Sequence, residues 1–215
     1  MNETAATVHL VDDDESFLKA AARLLRASGF TVATFSSAAD FLAKHRADLR
    51  GCVITDLRMP GLNGLEFQAA LTRTANPLPV LFLTGEGDIP ASVSAMRCGA
   101  EDFIEKRAPK QQLIEAVCRA LARDGREHAE RGRLHGLRAR FDALTEREYE
   151  VLHHVVQGKM NKEIAADLGI HERTVKLHRT AITTKLRAPS VAELTRLTQE
   201  AGIFSEGEPT FPKGQ

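Results

Sequence analysis

No sign of charge dominates this chain. Its 215 residues carry 29 Lys and Arg against 29 Asp and Glu, a formal net charge of zero. A global basic field that would announce nucleic acid is therefore absent, and any such binding must come from a local surface. Cysteine is scarce: Cys52, Cys98 and Cys118 are odd in number, scattered, and set in apolar runs. That pattern excludes a disulfide framework, offers no metal-ligand spacing, and predicts buried thiols in a reducing compartment. No apolar run is long enough to span a bilayer, and no basic stretch leads into an apolar one at the N-terminus. A cytoplasmic protein with no membrane contact is the expectation.

What is present is an ordinary globular composition, 43% hydrophobic and 27% charged. The length suits two domains of about 100 residues each. Short β-branched runs at Val8–Val11, Thr31–Phe35, Val53–Thr55, Pro79–Thr84 and Asp102–Lys106 read as strands. Between them lie helical periodicities at Phe17–Ala27, a short helix capped by Ser36, Leu65–Leu71, Ile89–Cys98 and Gln111–Ala122. Strands and helices alternating in this way imply a flavodoxin-like, doubly wound α/β domain. Its five parallel strands take the order 2-1-3-4-5 and occupy residues 1–122. Residues 123–140 are charged and interrupted by Gly125, Gly132 and Gly136. Each glycine costs a helix about 1 kcal/mol against alanine, so a weak or broken linker helix is expected, with Leu134, Leu137 and Phe141 as a partial seam.

The chemistry concentrates at strand ends. Four acids, Asp12 to Glu15, follow the first strand; Asp14, Glu15 or Ser16 suits a helix cap, which leaves Asp12 and Asp13 unexplained. Asp56 ends the third strand, Thr84 the fourth and Lys106 the fifth. In this strand order all of them meet at the carboxyl edge, around the switch between the first and third strands. Three crowded carboxylates repel unless a cation sits among them, and hard oxygen ligands suit magnesium, with manganese as the substitute. Lys106 and Thr84 then serve phosphate oxygens as a charge and a hydroxyl donor, and Asp56 becomes a nucleophile for phosphoryl transfer.

With Val11-Asp12-Asp13, the Asp56 stretch through Met59-Pro60-Gly61, Thr84 followed by Gly85, and Lys106, residues 5–122 resemble the receiver domain of two-component response regulators. The resemblance implies that Asp56 accepts phosphate from a sensor histidine kinase. It also implies that Asp12, Asp13, Asp56 and the backbone carbonyl of Arg58 organise the metal, and that Thr84 and Phe103 move together as a switch. The domain would catalyse only its own phosphotransfer and dephosphorylation, which makes the chain a signalling protein rather than an enzyme. One departure is the run Lys106-Arg107-Ala108-Pro109, where such domains place proline directly after the lysine. It leaves the loop geometry open and keeps a receiver that no longer switches as an alternative. Arg58 and Glu86 flank the site and are expected to pair across its mouth and slow dephosphorylation, or else to be two solvated charges. A haloacid-dehalogenase type of phosphatase shares this chemistry but places nucleophile and acid together after strand one, which this chain does not.

The second half, residues 141–204, is helical by periodicity. Thr145 and Glu148 form a capping box before an apolar stripe of Val151, Leu152, Val155 and Val156, and Gly158 ends that helix. Asn161–Ile170 is a short helix with a glycine turn, Glu172–Leu186 a longer helix, and Val191–Ala201 a fourth. Helix, tight turn, helix is the pattern that places its second helix in the major groove. Val175, Ile182 and Leu186 face inward, with His178 beside them, which leaves Arg173, Lys176, Arg179, Thr180 and Thr183 outward. Such side chains can reach phosphates and base edges.

Leu144-Thr145-Glu146-Arg147-Glu148, Asn161-Lys162-Glu163-Ile164-Ala165 and Thr174-Val175-Lys176 together resemble the LuxR-type DNA-binding domain, an all-α four-helix unit. The resemblance implies phosphate contact by Lys162, and DNA contacts from Thr174, Lys176, Leu177, Arg179 and Thr180. Residues 205–215 are expected to be a flexible tail. The whole looks like a response regulator of the FixJ and NarL type. The partners implied are a sensor histidine kinase, double-stranded promoter DNA and a second copy of the chain when phosphorylated, with RNA polymerase a further candidate.

Overall fold

The run that ends in Asp56 lies at the centre of the sheet. In a computed structural model describing residues 6–46, 48–85 and 89–204, the strands β1 (Thr7–Val11), β2 (Thr31–Phe35), β3 (Gly51–Asp56), β4 (Val80–Thr84) and β5 (Asp102–Glu105) form one sheet in the order β2-β1-β3-β4-β5. All four pairings are parallel, with Val11 opposite Thr55 and Asp56 opposite Leu83. The expected topology is present. β3 and β4 are buried along nearly their whole length, as their unbroken apolar composition requires. Helices α1 (Glu15–Ala27), α2 (Ala38–Lys44), α3 (Gly64–Thr72), α4 (Ile89–Arg97) and the start of α5 (Lys110–Asp142) cover the faces. One core joins α1 and α5 to the sheet through Leu18, Leu25, Leu113 and Val117; the other holds Phe41, Phe67, Phe82 and Ala95.

Local details refine the sequence reading. Asp14 is the α1 cap, its carboxylate accepting from the backbone N–H groups of Ser16 and Phe17. Ser37, not Ser36, caps α2, accepting from Asp40 N at 3.1 Å, because the first turn begins one residue later. Of the three thiols only Cys52 is buried. Cys98, just past the end of α4, and Cys118, on the side of α5 away from buried Ala116, Val117 and Ala120, are exposed. Burial pushes the Cys52 thiol pKa up. β5 stops at Glu105, one residue before Lys106.

The largest difference is α5. Where three glycines predict a broken linker, the helix is continuous from Lys110 to Asp142. The glycines cost about 3 kcal/mol together. Burial of Leu137 and Phe141, about 1.5 to 3 kcal/mol each, outweighs that. Ion pairs Arg123–Glu127 (2.7 Å) and Arg133–Glu130 (2.7 Å) add a few tenths each. The first half is pinned harder than its charge suggests: Asp124, buried, accepts from Arg50 Nε at 2.8 Å and from Gly51 N at 3.1 Å. The chain divides into two compact units within this helix, at His128 and Ala129.

The second unit holds the end of α5 with α6 (Glu146–Val156), α7 (Asn161–Leu168), α8 (Glu172–Leu186) and α9 (Val191–Ala201). Thr145 and Glu148 make the predicted capping box. Gly169 ends α7 in the left-handed conformation, φ 63°, which a residue without Cβ adopts freely. Leu152, Ile164, Val175, Ile182, Leu186 and Leu194 form its core.

Candidate functional site

Two constellations carry chemistry, one in each unit. In the first, Asp12 leaves the end of β1, Asp13 follows it, and Asp56 ends β3 beside it. One carboxylate oxygen from each lies within 4.8 Å of the others. Asp12 is buried, Asp56 half-buried and Asp13 exposed, so the cluster opens to solvent on one side. Lys106 reaches in from the end of β5: its Nζ donates to Asp12 Oδ2 at 2.6 Å and to Asp56 Oδ2 at 3.0 Å. Asp56 Oδ1 accepts from the backbone N–H of Leu57 at 2.6 Å, and Asp12 Oδ1 from that of Asp14 at 2.9 Å. Both carboxylates are therefore aimed by the strand-to-loop backbone as well as by the lysine.

Burial raises the pKa of Asp12 above the ordinary carboxylate value, against the pull of the Lys106 hydrogen bond and charge. For Lys106 burial works the other way, disfavouring its ammonium. The hydrogen bonds and charges of Asp12 and Asp56 outweigh it and hold the pKa above the ordinary lysine value. Three oxygen donors this close, one of them reluctant to be charged, fit a hard divalent cation. Phe17, in sequence only one member of an apolar helical face, has its ring centroid 4.2 Å from Lys106 Nζ and braces the ammonium. Its place in the first turn of α1, just past the acids, was the available signal.

Thr84 is buried at the end of β4, and its carbonyl accepts from Lys106 N at 2.7 Å, so one backbone hydrogen bond links the two. Phe103 is half-buried on β5, its ring centroid 6.0 Å from that of Phe82. Arg58 is exposed on the loop after β3. Glu86, its expected partner, lies outside the described residues, as does the stretch 205–215 expected to be a tail. The peptide bonds of Lys106-Arg107-Ala108-Pro109 are trans; Ala108 N closes a turn on Glu105 O at 2.9 Å, and Pro109 directly precedes α5.

In the second unit Lys162, Lys176, Leu177 and Thr180 are exposed on α7 and α8 and Thr174 is partly so, while His178 is half-buried. Leu177 is 65% exposed, an apolar side chain held in solvent beside basic ones. Arg179 is less free than its outward position implies: its Nη1 donates to Asn161 Oδ1 at 2.8 Å, tying α8 to the start of α7. Asn161 carries no charge, so the pattern of charges alone gives no sign of this link.

Both constellations have counterparts among known proteins. The response regulator receiver domain model matches residues 8–118, and the model for bacterial regulatory proteins of the luxR family matches residues 142–198. The chain belongs to the two-component response regulators. It is 40% identical over 200 residues to Nodulation protein W of Bradyrhizobium diazoefficiens, covering 93% of this chain and 88% of that one. It is 41% identical over 200 residues to the transcriptional regulatory protein FixJ of Rhizobium meliloti, covering 93% and 98%. The solved structure of the response regulator StyR superposes with a TM-score of 0.81 at 40% identity, covering 92% of this chain and all of that one. This response regulator accordingly pairs a receiver with a helix-turn-helix DNA-binding domain, and no helix among the described residues is long and apolar enough to cross a membrane.

Proposed function

We propose that this response regulator is switched by a phosphoryl group carried on Asp56 and passed from a sensor histidine kinase. The observation that carries the reading is the convergence of Asp12, Asp13 and Asp56 on one edge with the Lys106 ammonium bonded to Asp56. A carboxylate oxygen of Asp56 attacks the phosphorus of the donor's phosphohistidine; the P–O bond forms as the P–N bond breaks, the electron pair stays on the imidazole nitrogen, and that nitrogen takes a proton from solvent. Asp12, Asp13, Asp56 and the Arg58 carbonyl would hold magnesium or manganese, which supplies positive charge against the phosphoryl oxygens. Lys106 exchanges its bond to Asp56 for one to a phosphoryl oxygen, and the Thr84 hydroxyl donates to another.

Because Lys106 and Thr84 share a backbone hydrogen bond, a shift of either is passed to β5, where Phe103 packs on Phe82. The phosphorylated receiver then pairs with a second copy. Support comes from the exposed apolar side chains Ile89, Val93 and Met96 on one stretch of α4. A dimer presents two α8 helices to paired half-sites of promoter DNA in the cytoplasm, with Lys162 on phosphate and Thr174, Lys176, Leu177, Arg179 and Thr180 toward the groove. The test is labelling of wild type and Asp56→Ala with a small phosphodonor, followed by dimerisation and binding to genomic fragments. Wild type is expected to take label, dimerise and bind more tightly, and the variant to do none of these. Loss of label without change in dimerisation or DNA binding would sink the switch.

A further inference from the structure

His9 is a titratable group in the receiver core with no task in phosphoryl transfer. It lies in the middle of β1, between Ala33 of β2 and Val53 of β3, and is 3% exposed. Its ring is 5.4 Å from that of Phe41 in an edge arrangement and 6.1 Å from that of Phe35. Neither ring nitrogen has a hydrogen-bond partner among the described residues. The backbone of Arg50 favours the charged ring, though at no geometry that makes a hydrogen bond to either nitrogen.

Among the described residues, the carboxylates on the elements around His9 are already engaged. On α2, Asp40 is paired with Lys44 at 3.0 Å, and His45, whose own Nε2 is buried without a partner, stands on the other side of Phe41 at 5.7 Å. Beyond α2, Asp48 is paired with Arg46 at 3.1 Å. At the start of β3, Arg50 is taken by Asp124 on α5. On α3, Glu66 is engaged in its own helix cap, and that helix offers Phe67 to Phe41. Further along β1, Asp12 is held by Lys106. Burial first, and His45 to a smaller degree, lower the His9 pKa from its ordinary 6.5.

We propose that His9 makes the receiver acid-labile: one proton taken up by this unpartnered imidazole loosens β1 from α2 and unseats the Asp12 and Asp13 cluster at the end of the same strand. The neutral ring packs as an aromatic among Phe35 and Phe41; among the described residues the charged ring finds no formed hydrogen bond, only the pull of the Arg50 backbone, which burial outweighs. The unfolded chain binds this proton at its ordinary 6.5 and the folded one only at lower pH. Stability is therefore complete above that value, falls as pH drops below it, and levels off beneath the folded pKa.

Peptide-resolved hydrogen exchange of the full-length protein between pH 7.5 and 5, wild type against His9→Leu, reads this directly, because comparison at each pH cancels the intrinsic exchange rate. The opening constant of β1 and β3 amides in wild type, relative to the variant, is expected to rise as pH falls, about fivefold from pH 6.5 to 5.5 and approaching about tenfold per unit below that until the folded pKa is reached. Exchange in α6 to α9 should not differ between the two proteins. His9→Gln, also uncharged, should behave like His9→Leu if the leucine does not pack. Parallel pH dependence in wild type and both variants overturns the proposal, and so does loss of the dependence in His45→Gln while His9→Leu retains it. No phosphodonor enters the measurement, so its outcome is independent of whether Asp56 is phosphorylated.

Discussion

Asp124→Ala removes the acceptor that fixes α5 to the amino end of β3. The Asp124 side chain is 1% exposed and that of Arg50 is 15% exposed. Truncation leaves the buried Gly51 N–H without its acceptor, at about 1 to 3 kcal/mol. It also leaves the Arg50 guanidinium without a counter-charge; losing one member of a buried pair costs about 3 to 5 kcal/mol in total. Since Arg50 can turn its head toward water, the lower end applies, and we expect a loss of about 3 kcal/mol. Asp124→Asn keeps an oxygen for Gly51 N–H and should lose only about 1 kcal/mol. Urea unfolding followed by far-UV circular dichroism measures both, and a 3 kcal/mol loss moves the midpoint by about 1 M or more. The single tyrosine, Tyr149, lies in the second unit, so its fluorescence serves as an internal control that should not shift. A loss below about 1 kcal/mol for Asp124→Ala, or an equal shift of the Tyr149 transition, would refute the claim that this pair pins α5 within the receiver.

Three further outcomes follow from the geometry. Gly51 has φ 126°, and an added Cβ would overlap the carbonyl oxygen of Thr7, so Gly51→Ala should destabilise the receiver by more than about 4 kcal/mol and give insoluble or label-free protein. Burial opposes the charge of Glu148, yet Lys185 Nζ at 2.6 Å and the Thr145 N–H lower its pKa below the ordinary 4.5. The second unit should thus keep this stabilisation above about pH 4.5 and lose it as pH falls through the folded pKa. Glu148→Gln should flatten that slope in the Tyr149 signal. In DNA binding measured against salt, Lys162→Ala should reduce the salt slope by about 1 across all sequences, whereas Leu177→Ala should leave the slope and cost about 1 to 3 kcal/mol of discrimination at one base step.

Asp12, Asp13, Asp56, Thr84 and Lys106 are legible in the sequence because each lies at or just past the end of a strand, and a strand end is a local signal. Once alternating strands and helices restrict the topology, their meeting at one edge follows with little freedom. The capping box of Thr145 and Glu148 and the glycine turn at Gly169 are legible for the same reason, being written within four residues. Asp124 carries no such sign. In Arg123-Asp124-Gly125-Arg126 it looks as solvated as its neighbours, and its burial depends on Gly51, 73 residues away. His9 is hidden differently, as a polar residue inside an apolar strand whose lack of hydrogen-bond partners appears only when Phe41 of α2 closes against it. Even adjacent Ser36 and Ser37 cannot be told apart until the first turn of α2 is placed. What escapes the local reading is polar groups whose state is decided by distant chain, and these are the groups on which stability depends most steeply, since an unpaired buried charge costs more than any one apolar contact. Substitutions at Asp124 should therefore perturb the receiver more than its local sequence suggests, while those at Glu15 and Lys19, an exposed pair at 3.1 Å, should perturb it less.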